Sequence, residues 1–202
     1  MKTCYIVGAG SFYGGFKPDD EDLVIAADGG YLALLERDIR CDLVVGDMDS
    51  IDGVPEGIEI IRFPVKKDET DMHLAYLEGR RRGYLRFEIY GGVGGRADHT
   101  FANYCLLSYI RSDGAFARLH GDGSIAFVIE NEATRVSGNS NKSISIFAFG
   151  GEARGVFIKG LLYELADGSL TPQFPLGVSN SFTECEAEIS VRSGSLLIIC
   201  EI

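Results

Sequence analysis

Short apolar runs that stop at glycine or aspartate recur through the first 120 residues. Cys4-Tyr5-Ile6-Val7 enters the turn Gly8-Ala9-Gly10-Ser11, and Leu23 to Ala27 stops at Asp28-Gly29-Gly30. Asp42 to Val45 stops at Gly46-Asp47-Met48-Asp49-Ser50. Runs that are continuous rather than alternating are expected of strands buried on both faces. Ile58 to Ile61 and Arg86 to Tyr90 read as further strands, the latter closed by Gly91-Gly92-Val93-Gly94-Gly95. Helical spacing predicts a helix over Tyr31 to Arg37, with Leu32, Leu35 and Ile39 inward. A second helix starts at Thr70-Asp71, with Thr70 as N-cap and Met72, Ala75 and Tyr76 in periodic positions, and ends at Arg80-Arg81-Arg82-Gly83. A third is capped by Asp98 and runs to about Ile110, with Phe101, Cys105 and Tyr109 on one face. Strands alternating with helices predict a Rossmann-like parallel sheet with flanking helices.

The pattern changes after His120-Gly121-Asp122-Gly123. Ile144, Ile146 and Ala148 alternate with Ser145, Phe147 and Phe149, and later Ala187, Ile189 and Val191 do the same. Turns are expected at Ser137 to Asn141, at Asp167-Gly168-Ser169 and at Ser193-Gly194. Two-residue periodicity with frequent turns predicts an antiparallel sandwich or barrel. The expected division is an α/β domain over 1–121 and an all-β domain over 122–202.

Composition narrows the function classes. A net charge of −11 over 202 residues argues against a nucleic-acid surface, because phosphate backbones require Lys/Arg neutralisation. Five scattered cysteines without CxxC spacing read as buried, reduced thiols in a reducing, cytoplasmic setting. The apolar start breaks at Gly8 and Gly10, so neither a signal peptide nor a membrane span is expected.

The candidate chemistry lies at the strand ends, where open α/β sheets bind ligands. Asp47 and Asp49 are one residue apart and can converge, which is costly unless a cation lies between them. Asp28 ends another strand, Lys67, Asp68 and Asp71 follow a third, and Gly95, Arg96 and Asp98 follow a fourth. Thiol-free oxygen ligands suit Mg²⁺ with substrate phosphates completing its shell. Glycine N–H groups, Arg96 and Lys67 suit phosphate oxygens, so the set fits phosphoryl-type transfer. Gly8-Ala9-Gly10 imitates a dinucleotide fingerprint, but Tyr13 stands where its third glycine belongs. His73 and His120 read as surface or structural residues, with no zinc spacing.

Four motifs taken in order carry a resemblance: Gly46-Asp47-Met48-Asp49-Ser50, Lys67-Asp68-Glu69-Thr70-Asp71-Met72-His73-Leu74-Ala75, Gly94-Gly95-Arg96-Ala97-Asp98-His99 and Gly177-Val178-Ser179-Asn180-Ser181. The set resembles the signatures of the thiamine pyrophosphokinase family. The resemblance implies Mg²⁺-dependent transfer of the pyrophosphoryl group of ATP to the thiamine hydroxyl, releasing AMP. It also implies a homodimer whose C-terminal β-sandwich binds thiamine. By position, it implies that Asp47, Asp49 and Asp71 are catalytic and hold the metal. Asp28, Gly29, Lys67, Asp68, Thr70, Gly95, Arg96 and Asp98 would serve ATP, and Ser179 and Asn180, with Asp98, would serve thiamine. Two departures stand out: Gly160-Leu161-Leu162-Tyr163-Glu164-Leu165 lacks the family's Lys and Pro, and the chain has no Trp to stack on thiamine. Phe182 or Tyr163 is the candidate replacement. The alternative is a metal-dependent diphosphotransferase or nucleotide-sugar transferase acting on another alcohol.

Overall fold

The structure, a computed structural model, describes residues 2–48, 57–64 and 66–202. The predicted ligand Asp49 lies outside the described residues. The chain divides into two compact units, Met1–Asp122 and Gly123–Ile202.

In the first unit, β1 (Cys4–Val7), β2 (Leu23–Ala27), β3 (Leu43–Gly46), β4 (Glu59–Arg62), β5 (Arg86–Tyr90) and β6 (Phe116–Gly121) form a parallel sheet in the order β4-β3-β2-β1-β5-β6. The chain builds outward from β1 to β4, returns, and adds β5 and β6 on the other side. The switch point therefore lies between β1 and β5, and the loops leaving those two strands flank a crevice. The helices are α1 (Gly30–Leu35), α2 (Asp71–Arg81) and α3 (Ala97–Ser112). Tyr76 of α2 packs on Phe87 with ring centroids 4.8 Å apart. Gly79 lets this helix sit close: a Cβ there would lie 2.7 Å from the Phe87 ring and 2.9 Å from Cys4 Sγ. The other face is covered by α1 and by Phe12 and Phe16, which stack on Tyr90 and Tyr5 in place of a longer helix.

Two helix faces differ from expectation. In α1, Tyr31 and Leu34 point inward, whereas Leu32 and Leu35 are 45% and 61% exposed; of the expected inward set only Ile39 packs against the core. The helix has only six residues, so one extra apolar position at each end shifts the apparent stripe by a full face. In α3 the buried residues are Asn103, Leu106, Leu107 and Ile110, and Phe101, Cys105 and Tyr109 lie on the outer face. One polar residue on the buried face disguised that stripe. Nor does Asp98 cap α3: Arg96 occupies the N-cap position without a side-chain cap, and Asp98 sits inside the first turn. Thr70 does cap α2, its Oγ1 accepting from the His73 N–H at 3.2 Å. β6 was not anticipated, because Arg118 and His120 interrupt its apolar pattern. His120 and Arg118 both reach the buried Glu88 on β5, with His120 Nε2 2.8 Å from its Oε2.

The second unit is antiparallel and contains β7 (Ser124–Glu130), β8 (Ala133–Ser137), β9 (Ser143–Lys159), β10 (Leu165–Leu170), β11 (Gly177–Ser181) and β12 (Glu186–Glu201). The long strands β9 and β12 each serve both layers of the sandwich. Their Ser143–Phe149 and Ser195–Glu201 halves join β11 and β7, and their other halves join β10 and β8. Ile144, Ile146, Leu196 and Ile198 of one layer and Val156, Ile158, Ile189 and Val191 of the other are all buried. Ser193-Gly194 and Asp167-Gly168 are not turns between strands; both are register shifts inside β12 and β10. A bulge satisfies the same glycine signal as a turn while keeping the strand running.

The cysteines are all free thiols, and they divide by position: Cys4 and Cys200 are buried, Cys41 is half-buried, and Cys105 and Cys185 are exposed, unlike the buried set expected. Burial pushes the Cys41 thiol up to about 11, so it stays protonated at neutral pH.

The face assignment of α1 yields a direct test. Leu34→Ala is expected to cost about 2–5 kcal/mol in urea denaturation, whereas Leu35→Ala is expected to change stability by less than about 0.5 kcal/mol. Equal effects would return α1 to the face expected from spacing.

Candidate active site

The switch-point crevice is a cleft of ≈ 510 Å³ within the first unit. Its floor is made by two glycine loops in backbone contact. The Gly8 N–H donates to Tyr90 O at 2.8 Å, the Gly10 N–H to Gly91 O at 2.8 Å and the Ser11 N–H to Val93 O at 2.9 Å. A Cβ on Gly8 would lie 2.7 Å from Gly91 O, and one on Gly10 would lie 2.6 Å and 2.7 Å from the carbonyls of Gly91 and Val93. Gly8-Ala9-Gly10 is thus a contact surface for the second loop, which explains a glycine pair without the full dinucleotide fingerprint.

Of the residues selected from sequence, Asp28, Asp47, Lys67, Thr70, Asp71, Gly95 and Arg96 line this cleft. Asp28 leaves β2 with φ of 45°, and its Oδ1 is buried without a hydrogen-bond partner among the described residues. Asp71 opens α2 and accepts an ion pair from Lys67 at 2.6 Å, one helical turn away and largely buried. Arg96 is exposed at the rim, and its guanidinium grips Asp98 through Nε at 3.1 Å and Nη2 at 2.6 Å. That pairing, with the His99 N–H donating to Oδ1, holds the Asp98 carboxyl down at about 2. A depressed carboxyl pKa means the pairing is complete above the ordinary value near 3.9 and is lost as pH falls through about 2.

Gly29, Asp68 and Asp98 do not line the cleft. Ser179 and Asn180 belong to the second unit. Asn180 is buried and fully engaged: its Oδ1 accepts from the Tyr163 and Ser181 N–H groups at 2.9 Å, and its Nδ2 donates to Tyr163 O at 2.7 Å. Ser179 beside it is exposed, at φ of 56°. Tyr163 is 68% exposed and Phe182 is buried, so of the two stacking candidates only Tyr163 presents a ring to solvent.

Met72, Glu69, His99 and Asn103 also line the cleft and were not selected from sequence. Asn103 had a signal that passed unread: with Leu106, Leu107 and Ile110 it completes an i, i+3, i+4, i+7 stripe.

A divalent cation can be tested against this donor set. The carboxylates of Asp28, Asp47, Glu69 and Asp71 line the cleft beside Lys67, Arg96 and His99, with, among the described residues, no thiol in the lining and one buried carboxylate oxygen without a hydrogen-bond partner at Asp28. No cluster of three or more His, Cys, Asp or Glu occurs among the described residues. The carboxylates in the lining fit Mg²⁺, which takes one or two of them and leaves the rest of its shell to water and substrate phosphates.

An α/β unit with its cleft at the switch point, followed by an antiparallel sandwich, defines the class. Two family profiles match the chain: thiamin pyrophosphokinase, catalytic domain, over residues 18–118, and thiamin pyrophosphokinase, vitamin B1 binding domain, over residues 129–196. The chain belongs to the thiamin pyrophosphokinase family. It is 24% identical over 190 residues to the thiamine pyrophosphokinase of Bacillus subtilis (strain 168), covering 90% of this chain and 88% of that relative. Among solved structures, it is similar to the thiamine pyrophosphokinase of Bacillus subtilis, with a TM-score of 0.86 at 24% identity and 98% coverage of both chains. A thiamin pyrophosphokinase family protein from Enterococcus faecalis gives a TM-score of 0.86 at 26% identity, covering 100% of this chain and 99% of that one. The yeast thiamin pyrophosphokinase shares the fold with a TM-score of 0.69 at 15% identity, covering 100% of this chain and 86% of that one.

The loop contact can be checked by substitution. Gly10→Ala is expected to cost about 1–3 kcal/mol in urea denaturation, because its Cβ meets two fixed carbonyls. Gly15→Ala, which meets nothing within 4 Å, should be neutral. Equal midpoints for the two variants would show that the loops do not need the close approach.

Proposed function

We propose that this protein transfers the pyrophosphoryl group of ATP to the hydroxyl of thiamine, giving thiamine diphosphate and AMP, with Mg²⁺ as the metal. The observation that carries the reading is the meeting, in one cleft, of Asp47, Asp71, Lys67, Arg96 and a glycine loop from separate strand ends. Acids alone would repel a polyphosphate, and cations alone would not need a metal; the mixture suits a metal-bound triphosphate.

The roles follow from residue chemistry. Asp47 and Asp71, with Asp49, are the carboxylates that would hold Mg²⁺. When bound, the ion neutralises phosphate charge and polarises the group being transferred. Lys67 supplies a point charge, and Arg96 a planar fork suited to two phosphate oxygens. Asp98 orients that fork, while Gly95 offers an approach without a side chain. Asp28 and Thr70 line the nucleotide side of the cleft, and Gly29 and Asp68 adjoin them in the chain without lining it. The thiamine oxygen bonds to the β-phosphorus, the bond from that phosphorus to the α–β bridging oxygen breaks, and AMP leaves with the bridging oxygen. A carboxylate in the cleft accepts the hydroxyl proton.

In this reading residues 1–121 bind ATP and carry the chemistry, and residues 122–202 bind thiamine and form a homodimer. Exposed Leu162, Tyr163, Phe174, Leu176 and Val178 in the second unit support an apolar interface there. Ser179 is the polar group available to thiamine, and Asn180 shapes the strand that presents it. Free thiols and an acidic surface suit a cytoplasmic enzyme without nucleic-acid or membrane partners. No helix among the described residues is long and apolar enough to cross a membrane.

Supplying thiamine and Mg-ATP should release AMP in proportion to thiamine, measured by a coupled AMP assay. ADP formation, or no turnover while ATP still binds, would overturn the assignment. Asp71→Asn should lower turnover by on the order of 10²-fold while the protein stays folded, checked by circular dichroism. A near-normal rate at saturating Mg²⁺ would remove Asp71 from the site.

A further inference from the structure

We propose that Asn103 is a positioning residue that clamps the Gly91–Gly95 loop in the shape that receives ATP; the proposal rests on the ATP-dependent reading above. Three glycines of this loop have positive φ: Gly91 at 62°, Gly94 at 81° and Gly95 at 65°. Such a stretch loses much conformational freedom when ordered and needs external restraint to keep one geometry. Three consecutive carbonyls supply it. Those of Gly91 and Val93 are held by the N–H groups of Gly10 and Ser11 in the β1 loop. The one between them, Gly92 O, turns to α3 and accepts from Asn103 Nδ2 at 2.7 Å.

Packing alone does not call for an amide at this position. Asn103 is buried, and the other buried residues of α3 are all leucine or isoleucine. An apolar side chain would fill the same space without the cost of desolvating an amide. A Cβ on Gly92 would meet Leu119, Asn103 and Ile89 at 2.6, 3.2 and 3.3 Å, so the loop backbone lies close against these side chains. The side-chain hydrogen bond given to Gly92 O comes from Asn103. Asn103 also lines the cleft itself, so the restraint acts at the wall where the nucleotide would lie.

The test compares wild type with Asn103→Leu, which keeps the branching at Cγ and removes the donor, and with Asn103→Asp, an isostere that replaces the donor by oxygen. Both variants are expected to raise KM for ATP about tenfold, the worth of one buried hydrogen bond, while KM for thiamine stays within about twofold. By hydrogen–deuterium exchange, peptides covering 91–96 should exchange faster than in wild type, and those covering the C-terminal half of α3 should not. If one variant fails to fold, the other carries the comparison. Asn103→Gln, which retains the amide, should recover part of the ATP affinity. An unchanged KM for ATP overturns the proposal. So does a parallel rise in both KM values, or faster exchange throughout α3, which would mark a purely structural role. Wild type that releases no thiamine-dependent AMP overturns the functional reading instead, and the exchange comparison then decides the clamp separately.

Discussion

Two loops leave neighbouring strands at the same edge of the sheet, and they can share that edge only if their backbones touch. That constraint governs the first unit. Gly8 and Gly10 have no side chain to hold the loops apart, so amides of the β1 loop reach carbonyls of the β5 loop directly. The second loop therefore lies flat on the first, and Arg96 and the start of α3 follow from where it ends. Met72 closes the contact from α2, its Sδ lying where a Gly8 side chain would be. The hydrogen bonds between the loops join main-chain atoms, and it is at Gly8 and Gly10 that a side chain would collide with the facing carbonyls.

The electrostatic character of the cleft follows from that geometry. A chain with net charge −11 places Lys67 and Arg96 beside its clustered acids, and each is paired with a carboxylate already present. Lys67 is mostly buried against Asp71, so its ammonium is held in the wall by an ion pair formed before anything binds. Arg96 sits at the rim in an exposed pair worth little by itself. One cation is set in the wall, and the other stands exposed at the rim.

Most of the first unit was legible because buried parallel strands leave an unmistakable trace: β1, β2 and β3 are apolar throughout. Two of the acids lining the cleft follow from a related pattern, since Asp28 and Asp47 come directly after the ends of β2 and β3, whereas Asp71 reaches it as the first residue of α2. Helix faces were harder. Six residues of α1 do not define a stripe, and in α3 the buried amide of Asn103 broke the apolar pattern while Phe101 and Tyr109 advertised a face that lies outward. β6 carries Arg118 and His120, both of which reach the buried Glu88, a partner about thirty residues away that no local pattern reveals. In the second unit the alternation of β9 and β12 was visible, but their length was not. Glycines that look like turns are bulges when a long strand passes through both layers.

The length of β12 has a consequence for the order in which the second unit can form. Its residues pair with β7, β8 and β9, so three strands made earlier share one late partner. Ile144 meets Cys200 across 56 residues of chain. Until β12 has emerged from the ribosome, β9 can pair with β10 and β11 on one side only, and β7 and β8 lack the strand they share. A nascent chain stalled before residue 186 would carry a completed parallel sheet and an unfinished sandwich. The half-made molecule is therefore the form most in need of a chaperone.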